Sequence, residues 1–143
     1  MVNAVKDVFA QIYSIELGME IYQKAKNRFA GIKKITILQG DSGEVLKELL
    51  AHINSPCLFW LDAHYSPGTA KGNIETPIVK ELTNIFEHPL ATRHVILIDD
   101  ASWYTGERDY PTIDTLRHMA ESAGLDAFEV NKANIICIHR RSC

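Results

Sequence analysis

Apolar and polar positions change rhythm repeatedly along this chain, and each rhythm predicts an element. Val5, Val8, Phe9 and Ile12 fall on one face at helical spacing, so residues 2–10 read as a short helix or the end of a longer one. Gln11–Glu16 reads as a strand ending in an acid. Ile21, Ala25 and Phe29, with Tyr22 alongside, then give a second helix its buried stripe. Ile35–Gln39 is the next strand, and Gly40-Asp41-Ser42-Gly43 follows it. Asp41, with Glu44 three residues on, is placed to cap a helix carrying Val45, Leu46, Leu49, Leu50 and Ile53.

Two apolar runs stop abruptly at carboxylates: residues 57–62, ending at Asp62, and 94–100, ending in Asp99-Asp100. Runs of this kind suit strands buried on both faces of a parallel sheet. Between them lies a polar and glycine-containing loop, Tyr65–Glu75. Thr76-Pro77 then predicts a helix start, with a capping threonine before proline at the first helical position. Ile78, Leu82, Ile85 and Phe86 mark that helix's inward face. A loop over Ala101–Tyr110 leads to a helix near Thr112–Ala123, with Ile113, Leu116 and Ala120 inward and Gly124 as its stop. Ala127–Val130 and Ile135–Arg140, about Asn131-Lys132-Ala133-Asn134, read as an antiparallel hairpin.

Strands alternating with helices predict an α/β domain, a mostly parallel sheet between two helical layers, with the hairpin as an antiparallel edge. At 143 residues the chain is expected to form one domain, spanning 1–143. A formal charge of −3 gives no electrostatic case for nucleic acid or an anionic membrane. The apolar runs are too short to span a bilayer, and the N-terminus lacks the apolar core of a secretory signal. Three cysteines without a Cys-x-x-Cys spacing argue against structural zinc, and Cys57 and Cys137 are expected in buried strands. These features fit a cytoplasmic, reduced protein.

Open α/β sheets bind ligands at the carboxyl ends of their strands. Asp62, His64, Asp99 and Asp100 are expected to converge there if their strands are parallel neighbours. Carboxylates that close repel one another unless a cation or proton intervenes, and a hard cation such as Mg²⁺ takes oxygen ligands of this type. The competing reading is an acidic loop cluster without an ion. His64 has the chemistry of a general base near neutral pH, or of an ordinary loop histidine. Glu16 can accept hydrogen bonds from ribose hydroxyls or serve a helix dipole. Asp41 and Ser42 can border a nucleobase, although residue type favours a cap.

Ile12-Tyr13-Ser14-Ile15-Glu16, Gly40-Asp41-Ser42, Phe59-Trp60-Leu61-Asp62-Ala63-His64-Tyr65-Ser66, the Thr76-Pro77 helix and Ile98-Asp99-Asp100-Ala101 together resemble class I S-adenosylmethionine-dependent methyltransferases. The closer likeness is to their metal-assisted O-methyltransferase branches, and it runs from Gln11 to the terminal hairpin. It implies a three-layer Rossmann-like fold, with Glu16 on the ribose of S-adenosylmethionine, and Asp41 and Ser42 beside the adenine. Asp62 would lie at both cofactor and metal, Asp99 and Asp100 would complete the shell of Mg²⁺ or a similar divalent cation, and His64 would take the proton of a small-molecule hydroxyl.

The family carries a first strand and a glycine-rich loop upstream of the acid that Glu16 matches. Only ten residues precede Gln11 here, and none is glycine. The fold is therefore expected to be truncated at its N-terminus, leaving a gap or a rearranged pairing between strands 11–16 and 57–62. Unpaired backbone at such a gap recruits another chain, so a homodimer covering residues 2–10 and Gln11–Glu16 is expected. An alternative function is a non-catalytic remnant that binds or oligomerises. A different metal-dependent enzyme ranks last, since no phosphate-binding glycine loop is present.

Overall fold

A computed structural model describes residues 1–63 and 75–141. The elements are α1 (Val2–Val5), β1 (Ile12–Glu16), α2 (Met19–Arg28), β2 (Ile35–Gln39), α3 (Ser42–Leu50), β3 (Leu58–Leu61), α4 (Ile78–Phe86), β4 (Val95–Ile98), α5 (Ile113–Ser122), β5 (Ala127–Val130) and β6 (Ile136–His139). Short 3₁₀ turns precede and follow β4, at Ala91–Arg93 and Ala101–Trp103.

The strands form two hydrogen-bonded sheets rather than one. In the first, β1 and β2 run parallel, with Ile12 opposite Ile35 and Glu16 opposite Gln39. In the second, the order is β3-β4-β6-β5. There β3 and β4 are parallel, while β6 is antiparallel to both β4 and β5. Of the gap or rearranged pairing expected between strands 11–16 and 57–62, the gap is found: β1 and β3 exchange no ladder hydrogen bonds, and a parallel pair and a mixed four-stranded sheet stand where one mostly parallel sheet would be. The C-terminal hairpin is present where the pattern put it, with β5 as the outer strand.

One apolar core ties most elements together. Leu46 and Leu50 of α3, Ile78, Leu82 and Ile85 of α4, and Leu116 of α5 pack with Ile96, Ile98, Ile136 and Ile138 of the four-stranded sheet. Ile15 is the residue of β1 that packs against this cluster, from a partly buried position. In β4 and β6 alternate residues are buried and half-exposed, so one face of this sheet carries the core. Burial on both faces, expected of runs 57–62 and 94–100, is not found: only Leu61 of β3 is fully buried, and Val95 is exposed. Cys57 and Cys137 are accordingly half-buried, and burial raises both thiol pKa values above the ordinary thiol range.

The helix expected over 2–10 ends at Val5, and Val8 is 74% exposed. This segment has no buried residue to reward a longer helix. The α2 stripe is also weaker than its spacing suggests, because α2 buries no residue fully and Ile21 is exposed. Other boundaries agree more closely. Asp41 caps α3, its Oδ1 accepting from the Gly43 amide at 2.8 Å. Thr112 caps α5 by accepting from the Thr115 amide at 3.1 Å, and Gly124 leaves that helix at φ +80°. Pro77, expected inside α4, is instead its cap residue, and the Thr76 hydroxyl accepts from the Ile78 amide at 3.4 Å. No helix among the described residues is long and apolar enough to cross a membrane.

Candidate functional site

The carboxyl ends of both parallel pairs carry the acids expected to bind ligands. Glu16 closes β1, where its Oε1 accepts from the Ser14 hydroxyl at 3.1 Å and its carbonyl accepts from the Gly40 amide at 3.1 Å. Gly40 turns the chain out of β2 at φ +143°. A Cβ there would lie 2.7 Å from Val45 Cγ2, so both the backbone and the space favour glycine at this turn. The turn delivers Asp41 and Ser42 to the start of α3, where Asp41 acts as the cap that residue type favoured.

The second pair ends in parallel fashion, with the Asp99 amide donating to the Leu61 carbonyl at 3.0 Å. This bond sets Asp99 beside the chain entering Asp62. Both residues line one small cavity of about 10 Å³, together with Leu61, Ala63, Thr76, Ile78, Glu81 and Tyr104. Asp100 follows in a left-handed conformation, φ +55°, and its amide donates to Asp99 Oδ1 at 2.9 Å. Asp100 does not line the cavity with the other two. Among the described residues, no group of three His, Cys, Asp or Glu side chains is arranged to hold a metal ion. The expected trio of Asp62, Asp99 and Asp100 therefore has no assembled shell there. His64 lies outside the described residues.

Glu81 is the acid that sequence reasoning passed over. It sits on the buried face of α4, one turn from Ile78 and Ile85, and is 3% exposed. The Ser42 hydroxyl hydrogen-bonds to its carboxyl, yet Oε2 is buried without a hydrogen-bond partner. Burial pushes its pKa up to about 7; the Ser42 bond opposes that rise and the negative charge of Asp41 adds to it. A glutamate at a core position of a helical stripe was the available signal, since glutamate is almost never buried unless paired.

Glu81 also joins the two halves of the site. Its neighbours Asp41 and Ser42 follow β2, whereas Asp62 and Asp99 follow β3 and β4. The helix carrying it is fastened to α3 by the Asn84 amide, which donates to the Gly43 carbonyl at 2.8 Å, and by an ion pair between Lys80 and Glu44. No protein-family model, curated protein or solved structure matches the chain.

Tyr104 completes the inner wall. Its phenol is held far above the ordinary tyrosine range, first by burial and then by the charge of Glu81, with Tyr110 and Asp100 adding to the rise. Tyr110 packs edge-on to Tyr104, with ring centroids 5.7 Å apart, and its hydroxyl is buried without a partner. The 101–110 segment, expected as a plain loop, thus supplies two buried phenols beside the acids. On physical grounds the arrangement suits a ligand that brings hydrogen-bond donors to a carboxylate-rich, partly apolar recess.

Proposed function

We propose that the chain is a class I methyltransferase-like domain that binds S-adenosylmethionine and transfers its methyl group to a hydroxyl of a small molecule. The observation that carries this reading is the placing of Glu16 and of Asp62 and Asp99 at the carboxyl ends of two parallel strand pairs, with Asp41 and Ser42 at the turn after β2. A three-layer Rossmann-like arrangement belongs to the same reading. S-adenosylmethionine, when bound, supplies an electrophilic methyl group on a sulfonium centre.

Glu16 holds the ribose hydroxyls through carboxylate lone pairs that Ser14 does not use. Asp41 and Ser42 border the adenine with the faces left by the cap and by the Glu81 contact. Asp62 lies at the inner end, and His64 receives the acceptor's proton. The protein's contribution is alignment of sulfonium and acceptor oxygen.

A second reading, a non-catalytic module that binds or oligomerises, is favoured by the separation of β1 from β3 into different sheets. Calorimetric titration with S-adenosylmethionine, with and without Mg²⁺, separates the two. Saturable binding supports the methyltransferase reading, and no heat under either condition leaves the module.

A further inference from the structure

We propose that the recess at Glu81 is a binding site for a primary ammonium group of a ligand, with Glu81 Oε2 as its acceptor. The geometry begins with an orphan. Glu81 is 3% exposed, and Oε2 has no hydrogen-bond partner. A buried carboxylate oxygen left in this condition is costly, so native sites supply it with a donor.

Charge selects the kind of donor. Asp41 and Ser42 face Glu81 from the start of α3, Asp62 and Asp99 from the ends of β3 and β4, and Tyr104 and Thr76 from the flanking segments. Besides Glu81 the lining holds Asp99 and Asp62, the latter already engaged in an interaction of its own, and none of its described residues is basic. Lys80, next to Glu81 in α4, is engaged by Glu44. A cation is favoured over a neutral donor in such surroundings.

Size selects among cations. A cavity of about 10 Å³ is near the minimum that holds one water-sized group. A terminal –NH₃⁺ matches that size and brings three N–H donors. Mg²⁺ keeps several waters and near-octahedral geometry, which this space does not provide. A quaternary ammonium is larger and has no N–H to offer Oε2.

Binding is coupled to a proton. Without the ligand, the proton that Glu81 holds supplies the missing neutralisation. When the ammonium enters, that proton leaves to solvent and an N–H···Oε2 bond replaces it. The inference goes beyond methyl transfer and stands without it, because it uses only the recess and its charges.

The test is a carboxyl-¹³C NMR titration of the intact protein, with the Glu81 signal assigned through Glu81→Gln. Methylammonium chloride is compared with tetramethylammonium chloride, MgCl₂ and NaCl at equal ionic strength. The expected result is a Glu81 midpoint lowered by about one pH unit by methylammonium alone, a roughly tenfold preference for the ionised form. Equal shifts with tetramethylammonium or MgCl₂ would identify a general cation site and overturn the assignment. So would a midpoint unmoved by methylammonium, or a Glu81 that titrates in the ordinary carboxylate range. The midpoints are read on the wild type, and should Glu81→Gln fold poorly, the signal is assigned by the fall of its midpoint in Asp41→Asn. S-adenosylmethionine, added separately, keeps the two readings apart. A response to methylammonium without one to the cofactor supports the recess and removes the methyltransferase reading.

Discussion

His88 and His94 share one hydrogen bond, Nδ1 to Nε2 at 2.9 Å, between stacked rings whose centroids lie 5.0 Å apart. The neighbours assign the protons. The Cys57 amide donates to His94 Nδ1 at 3.0 Å, so His94 carries its proton on Nε2 and donates to His88. His88 Nδ1 also accepts from the Leu90 amide at 3.3 Å, and its Nε2 therefore donates to the Ile53 carbonyl at 3.1 Å. Both rings are neutral in this chain. Burial, and then the neighbouring His88, lower the His94 pKa to about 4.

Replacing His94 tests that chain. His94→Phe strands the Cys57 amide, at a cost of about 1–3 kcal/mol for a buried donor without its partner. His94→Asn keeps a side-chain acceptor near the position of Nδ1 and is expected to cost less. Urea midpoints at neutral pH rank the two, and equal losses would mean that volume rather than hydrogen bonding decides.

Stability against pH follows from His94 and Glu81 together. The folded-state pKa of His94 is depressed from 6.5 to about 4, so its contribution is complete above 6.5 and is lost as pH falls towards 4. The folded-state pKa of Glu81 is raised from 4.5 to about 7, so its contribution is complete below 4.5 and is lost as pH rises through 7. Each is worth up to about 3 kcal/mol, with opposite slopes over the shared window. The wild type is therefore expected to vary little between these limits. Glu81→Gln should make stability climb with pH, and His94→Asn should make it fall; denaturation midpoints across the window read both slopes.

Asp41 has two separable roles. Asp41→Ala removes the acceptor of the Gly43 amide and is expected to cost about 1 kcal/mol, whereas Asp41→Asn retains a capping oxygen and most of the stability. Both remove the negative charge that raises the Glu81 pKa, so both should lower the Glu81 midpoint in the carboxyl titration. Thermal denaturation and NMR together distinguish cap from charge.

Glu16→Ala addresses the cofactor. If Glu16 accepts the ribose hydroxyls, the substitution weakens S-adenosylmethionine binding by about 1.5–3 kcal/mol, the range for hydrogen bonds to a charged group. Calorimetry of the two proteins side by side checks this. Affinity unchanged by the substitution would move the pocket away from the end of β1.

Assembly depends on the strand edges. Among the described residues, β1 pairs only with β2 and β3 only with β4, which leaves each with an open edge. Open edges template pairing with another chain, and we expect a homodimer that covers β1 and residues 2–10. Sedimentation at micromolar concentration should show it, and a persistent monomer would remove the proposal.

The sequence carried much of this fold because most of its signals are local. Asp41 and Thr112 cap helices where their residue types said, and Gly124 ends α5. The division into two sheets is not local. Gln11–Glu16 and 57–62 look alike as apolar runs whether or not they share hydrogen bonds, and only the folded arrangement decides. Residues 2–10 misled for a related reason, since Val5, Val8 and Phe9 show helical spacing without a surface to bury it. In the site, Asp62 and Asp99 were legible as strand-end acids. Glu81 was hidden among helix residues, where a glutamate is read as solvent-facing unless its place in the Ile78–Ile85 stripe is weighed.

Two separate ladders also make the molecule divisible in energy. Amides of the β1–β2 pair are backed by the buried Ile12, by the partly buried Ile15 and by α2, which buries nothing fully. Those of β4 and β6 run between the fully buried Ile96, Ile98, Ile136 and Ile138. Opening of the first pair need not disturb the second, so native-state hydrogen exchange should resolve two cooperative units. The amides of Ile12–Glu16 and Ile35–Gln39 would exchange as one early group, and those around Ile138 only when the whole chain unfolds.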